Sequence, residues 1–172
     1  MDILAASDFP LITFIDIEAS GLHQPNSYPI EVGWADTLGN SDGFLIRPLE
    51  DWAHWSPTAE AIHGIKRREL FDKGLPVDRA AELLNNMLGC EVVFCDGLDS
   101  DHFWLNRLYE AASVAPSFEL ADFHQLHKLL SKQHMLSLQR VLKDLAIPHR
   151  AKADAERYAK AVLASYSNYG AC

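Results

Sequence analysis

The chain has no apolar run long enough to span a bilayer, and Met1-Asp2 opens no basic, signal-like segment, so no membrane association is expected. Cysteine is scarce: Cys90, Cys95 and Cys172 are odd in number and lack the spacing of a metal site or a disulfide framework. That scarcity fits a reducing cytoplasm. Basic residues are outnumbered, 15 Lys and Arg against 24 Asp and Glu, which leaves a net charge of −9 at pH 7. Such a balance excludes broad electrostatic attraction to anionic membrane or to nucleic acid, and with it tight, steered binding of a duplex. It does not exclude catalysis on phosphates, because carboxylates that hold a metal ion count as negative until the ion binds. Internal repeats, low-complexity stretches and linkers are absent too, so one domain over residues 1–172 is expected.

What is present is core-forming sequence: 48% of the 172 residues are hydrophobic, enough for a complete core at this length. Residues 11–18 are rich in Ile and Phe and are followed by Gly21, and they read as a buried strand. Residues 28–35 read as a second strand, Gly39-Asn40 as a turn, and 43–47 as a third strand ended by Pro48. Ser56-Pro57 starts a helix that Gly64 stops, and Val77–Leu88 forms another that ends at Gly89. Residues 91–95 are a fourth strand, 101–112 a helix and 118–120 a short extended piece. Three helices are expected near 122–131, 137–145 and 153–165, with Pro148 between the last two. An antiparallel meander joined to parallel strands makes a mixed sheet with helices on its faces, an α/β architecture.

Asp16 and Glu18 stand one residue apart in the first strand, so both point to one face while Ile15 and Ile17 point to the other. Two like charges at the end of a core strand resist burial, and something must compensate them. A divalent cation suits them, since carboxylate oxygens are what Mg²⁺ or Mn²⁺ prefers. The plainer alternative is that Glu18 emerges into solvent at the strand end. After the fourth strand come Asp96, Asp99 and Asp101, where a βα turn presents groups at a sheet edge. Asp101 falls in helical register with Leu105, Leu108 and Ala112, a buried stripe that gives a carboxylate no packing reason to be there. Asp99 falls in line with Phe103, Asn106 and Glu110, an exposed face, and its simplest role is to cap the helix. Asp96 is either a turn residue or an outer group of the site. Further on, His149 lies just outside a helix, where most histidines are merely solvated, and Asp154 in its first turns, where an acid is favourable through the dipole alone.

Taken together, these segments resemble the DEDDh family of 3′–5′ exonucleases, the RNase T, proofreading-subunit and exonuclease X group. Phe14-Ile15-Asp16-Ile17-Glu18-Ala19-Ser20-Gly21-Leu22 matches the D-x-E-x-x-G-L pattern, Ala61-Ile62-His63-Gly64-Ile65 the H-G-I segment, and His149-Arg150-Ala151-Lys152-Ala153-Asp154-Ala155 the H-R-A-x-x-D-A pattern. The second motif departs from the family. Asp96-Gly97-Leu98-Asp99-Ser100-Asp101 lacks the usual His-Asn pair and has Ser where Phe is usual, and aligning the helix puts Asp101 on the family's acidic position.

The resemblance implies an RNase H-like fold, a mixed five-stranded sheet with helices on both faces. It implies two Mg²⁺ or Mn²⁺ ions held by Asp16, Glu18, Asp101 and Asp154, with His149 taking a proton from the attacking water; a histidine's ordinary pKa of about 6.5 suits that role. Leu22 and Ile65 either match positions that pack against terminal nucleotides or belong to the core, and His63 either approaches the substrate or makes a structural hydrogen bond beside Gly64. Trp52, Trp55, Phe103 and Trp104 fit the core better than base stacking, although single-strand binders do stack bases on aromatics. Lys66-Arg67-Arg68 reads first as a solvated run and second as a phosphate-attracting edge. The expected partners are 3′ ends of single-stranded DNA or RNA, including short oligonucleotides, and the expected products are nucleoside 5′-monophosphates. A non-catalytic nucleic-acid-binding or protein-interaction module on the same fold is the competing reading.

Overall fold

The first strand, β1 (Thr13–Ala19), lies at the centre of the sheet, as a run buried on both faces must. It pairs antiparallel with β2 (Pro29–Asp36), with Asp16 opposite Gly33 and Glu18 opposite Glu31, and β2 pairs antiparallel with β3 (Ser41–Leu45). On its other side β1 runs parallel to β4 (Val92–Cys95), which runs parallel to β5 (Glu119–Asp122), giving the order β3-β2-β1-β4-β5. The mixed five-stranded sheet expected from sequence is therefore present. The structure, a computed structural model, describes residues 10–22 and 25–167. Met1, Asp2 and Cys172 lie outside the described residues.

Six helices surround the sheet among the described residues: α1 (Pro57–His63), α2 (Arg67–Lys73), α3 (Val77–Leu88), α4 (Leu98–Ala112), α5 (Lys132–Asp144) and α6 (Ala151–Ser167). Ser56 caps α1, its hydroxyl accepting from the Ala59 N–H at 3.3 Å, and Gly64 ends it in the left-handed region at φ 71°. α2 was not legible, because Leu70 is its only buried residue and no apolar period marks it. Residues 122–131 were expected as an α-helix and instead hold a 3-10 helix (Phe123–Lys128), with Asp122 accepting from the His124 N–H at 2.7 Å. α5 starts earlier than expected because Ser131 caps it, accepting from the His134 N–H at 3.2 Å. Among the described residues no helix is long and apolar enough to cross a membrane.

The strand alternation sorts the interior into two cores. Ile15 and Ile17 face one side, where Val77, Leu84 and Leu88 of α3 and Leu105 and Leu108 of α4 pack. Ile12 and Phe14 face the other, against Ala155, Tyr158, Ala159 and Val162 of α6. Phe14 is fully buried, with the rings of Tyr158 and Phe123 at 5.7 and 6.2 Å, and a side chain of this kind stabilises by about 1.5–3 kcal/mol when buried. α6 thus seals the first half of one β1 face. Asp16 and Glu18 continue that same face beyond it.

Candidate active site

Asp16 and Glu18 are carried to the cleft by the pleat of β1, and Asp154 by the first turn of α6. α6 can begin so close to the sheet because the residue opposite Asp16 is a glycine. A Cβ on Gly33 would lie 2.0 Å from the Lys152 backbone nitrogen and 2.4 Å from the Ala151 carbonyl carbon. Any side chain there would push the helix start, and Asp154 with it, away from β1. As it stands, one carboxylate oxygen each from Asp16, Glu18 and Asp154 lie within 4.8 Å of one another. Asp154 also accepts from the Arg150 N–H at 2.9 Å, which fixes its rotamer across the helix start.

Asp101 sits on the inward face of α4, only 4% exposed, as its register with Leu105 and Leu108 predicts. Its Oδ2 is buried and has no hydrogen-bond partner among the described residues. It stands outside the three-carboxylate cluster but lines the same cleft of about 570 Å³, together with Asp96, His149, Arg157 and Tyr158. Asp96 accepts a short hydrogen bond from the Tyr158 hydroxyl, which ties the β4–α4 turn to α6. Asp99 is exposed and lies inside α4 rather than before it. The helix begins after Gly97 with no side-chain cap, so the capping role expected for Asp99 is corrected.

Burial pushes all four carboxyls the same way, and repulsion adds to it at Asp16, Glu18 and Asp101. Asp16 is raised well above the usual carboxylate range by burial first, then by Asp101, Glu18, Asp154 and Asp96. Glu18 is pushed up to about 7 by burial and by Asp154 and Glu31, with Arg150 opposing. Asp101 is pushed up to about 7 by burial first and by Asp96, with the nearby Cys95 thiol and Gly97 backbone opposing. Burial raises Asp154, while the Arg150 backbone N–H pulls the other way. A cation among carboxyls raised in this way would relieve both their repulsion and the orphaned buried oxygen on Asp101. Oxygen donors in this number fit a hard divalent ion.

His149 is exposed at the cleft, and its backbone adopts φ 55°, in the left-handed region that non-glycine residues seldom occupy. His63 is 5% exposed; its Nδ1 accepts from the Ile65 N–H at 3.0 Å, which puts the ring proton on Nε2, and burial lowers its pKa. It makes the structural hydrogen bond considered from sequence and also lines the cleft. Leu22 lines the cleft at 79% exposed. Ile65 does not: it is packed in the α3–α4 core, and Ile62, one turn earlier and exposed, faces the cleft in its place along with Ile147. Trp52 and Trp104 are buried, Trp52 stacked on Tyr28, though the edge of Trp104 reaches the cleft. The basic run is spent on neighbours. Lys66 pairs with Glu60 at 2.7 Å, Arg68 with Asp72 at 3.4 Å, and Arg67 lies over the Phe71 ring.

The arrangement separates the two candidate acids of the second motif experimentally. Asp101→Ala is expected to remove nearly all activity, whereas Asp99→Ala, an exposed change, should leave it within about twofold of wild type. The reverse result in a hydrolysis assay would move the second-motif ligand to Asp99.

No protein-family model and no curated protein matches the chain in sequence. Solved structures do match. A zinc-bound E. coli exonuclease I–single-stranded DNA complex superposes on 94% of this chain with a TM-score of 0.69 at 16% identity. A complex of E. coli exonuclease I with a 5cy-dT13 oligonucleotide gives 0.71 over 93% at 16% identity, and apo exonuclease I gives 0.67 over 88% at 17%. The fold is that of the matched part of exonuclease I. It is an RNase H-like fold, with helices on both faces of the mixed sheet. This chain spans 40 to 41% of the length of those exonuclease I chains. At such identity the likeness speaks for the fold, and the chemistry has to be read from the cleft.

Proposed function

We propose that this protein is a metal-dependent 3′–5′ exonuclease of the DEDDh type that removes nucleoside 5′-monophosphates from single-stranded ends. The observation that carries the reading is the convergence of Asp16, Glu18 and Asp154 within 4.8 Å, in a cleft that Asp101 and His149 also line. Asp16, Glu18, Asp101 and Asp154 would hold two Mg²⁺ or Mn²⁺ ions. When bound, such ions stabilise the attacking and leaving oxygens of a phosphodiester. His149, exposed at the cleft mouth, takes the proton from the attacking water. Leu22, Ile62 and Ile147 offer apolar surface to the bases of the terminal nucleotides, which are accessible only when unpaired. His63, buried behind them, holds the Gly64 turn. The exonuclease I structures it resembles include complexes with single-stranded DNA, which supports a single-stranded substrate for this chain. With Lys66 and Arg68 paired to neighbouring acids and Arg67 turned onto Phe71, the surface offers little to hold a long duplex.

The test is a digestion of 5′-labelled single strands of DNA and RNA of matched sequence, with Mg²⁺, Mn²⁺ or EDTA. Linear strands should shorten stepwise from the 3′ end, EDTA should stop the reaction, and a blunt duplex should be cut more slowly than its separated strand. Cleavage of a closed circle at a comparable rate would overturn the assignment. Complete inertness with every metal would favour the non-catalytic reading.

A further inference from the structure

Glu31 is a carboxylate in the middle of β2, 7% exposed and in register with Glu18. An ionised carboxylate is retained at such a position only when paired and fully hydrogen-bonded. Its acceptor contacts go to two consecutive residues. Oε1 accepts from Arg150 Nη2 at 2.6 Å and from Arg150 Nε at 3.2 Å; Oε2 accepts from Arg150 Nε at 3.0 Å and from the Ala151 backbone N–H at 2.9 Å. The first contact set is the planar fork that an arginine makes with a carboxylate, and the second ties the same carboxylate to the first residue of α6. There the carboxylate also meets the positive end of the helix dipole.

The two gripped residues are bracketed by site residues. His149 precedes Arg150 and holds a left-handed backbone at φ 55°, a conformation that persists only where its surroundings over-determine it. The Arg150 N–H donates to Asp154 at 2.9 Å. Beneath them, Gly33 and the Gly43 paired with it leave the sheet bare where α6 begins. The helix start is therefore seated from below by two glycines and gripped at its end by Glu31, which does not itself line the cleft.

We propose that Glu31 is a positioning residue of this site: by clamping Arg150 and Ala151 it sets where His149 and Asp154 stand relative to Asp16 and Glu18. The reaction it serves rests on the exonuclease reading, but the clamp has a consequence that needs no turnover. If Asp154 is held in place through the clamp, loosening it weakens metal binding.

The experiment compares wild type, Glu31→Gln and Arg150→Ala by Mn²⁺ calorimetry and by kcat and KM on a single-stranded oligonucleotide, well below each variant's Tm. Both variants should bind Mn²⁺ roughly 10- to 100-fold more weakly, the usual effect of losing a group that orients a metal ligand. kcat should fall by a similar factor with KM little changed. A merely structural role would lower Tm and leave Mn²⁺ affinity and kcat within about twofold of wild type, and that result overturns the proposal. Arg150→Ala is made from the half-exposed side of the pair and decides the matter by the same criterion if Glu31→Gln does not fold. Loss of Mn²⁺ affinity in both variants, with a wild type that never cleaves, would keep the clamp and reject the exonuclease. A wild type that binds no Mn²⁺ rejects both.

Discussion

Asp16→Asn is expected to abolish hydrolysis and, in the absence of metal, to stabilise the protein increasingly as pH rises. The loss of activity follows from geometry. Asp16 is one of three carboxylates whose oxygens lie within 4.8 Å, and an ion held through it contributes several kcal/mol to the transition state, or roughly three orders of magnitude in rate. The gain in stability follows from the same crowding. The Asp16 carboxyl is raised in the folded protein well above its ordinary value of 3.8. Just above that value the unfolded chain has already released its proton while the folded chain still holds it. A group with this shift contributes stability that is complete at low pH and is lost as pH climbs through its folded value. Glu18 and Asp101, both pushed up to about 7, behave alike over the window from about pH 4 to 7. Removing Asp16 removes its share of that loss. In EDTA the Tm of Asp16→Asn should therefore exceed that of wild type by a margin that widens from pH 5 to pH 8, and saturating Mg²⁺ should restore the wild type alone. Thermal unfolding at four pH values with and without EDTA checks this. A margin that shrinks with pH would mean the carboxylates do not repel one another as their placement requires.

His149→Ala should slow the chemical step by roughly 10²- to 10⁴-fold, the usual contribution of a positioned acid or base, while leaving Mn²⁺ affinity nearly unchanged. The left-handed backbone at this position adds a control. Alanine is strained at φ 55° and glycine is not, so His149→Gly relieves the backbone while also removing the imidazole. If the ring does the chemistry, both variants lose rate equally and both lose the rise of single-turnover rate with pH. If only the loop geometry matters, His149→Gly recovers. His127→Ala, on the exposed 3-10 helix, should match wild type. A His149→Ala protein at full rate with an unchanged pH profile would return His149 to the status of an ordinary loop residue.

The legible parts of this chain are those where a residue type conflicts with its surroundings. Asp16 and Glu18 stood out because acids do not belong in an apolar strand, and Asp101 because an acid does not belong on a buried helical stripe. The strands and α3 were readable from periodicity and Gly breaks. α2 was not, because it buries one leucine and is supported by surface ion pairs that leave no apolar period. The segment after β5 was expected as an α-helix and is a 3-10 helix, because it buries only Leu126 and the Asp122 cap closes its first turn tightly. Glu31 was missed although it met the same criterion as Asp16: an acid inside a strand buried almost throughout. Its partner lies far along the chain, and no local spacing reveals such a pair. For Ile65 the sequence left substrate contact and core open; the positive φ of Gly64 turns the chain so that Ile65 enters the core and Ile62 stays outside.

The docking of α6 across the sheet also governs when the cleft comes into being. A ribosome delivers β1, with two of the carboxylates, long before it delivers the helix that bears Asp154 and seals Ile12 and Phe14. During that interval the nascent chain carries an incomplete carboxylate cluster and an uncovered apolar face. It is therefore attractive to chaperones until α6 settles onto its two glycines, which closes the carboxylate cluster and covers the apolar face together.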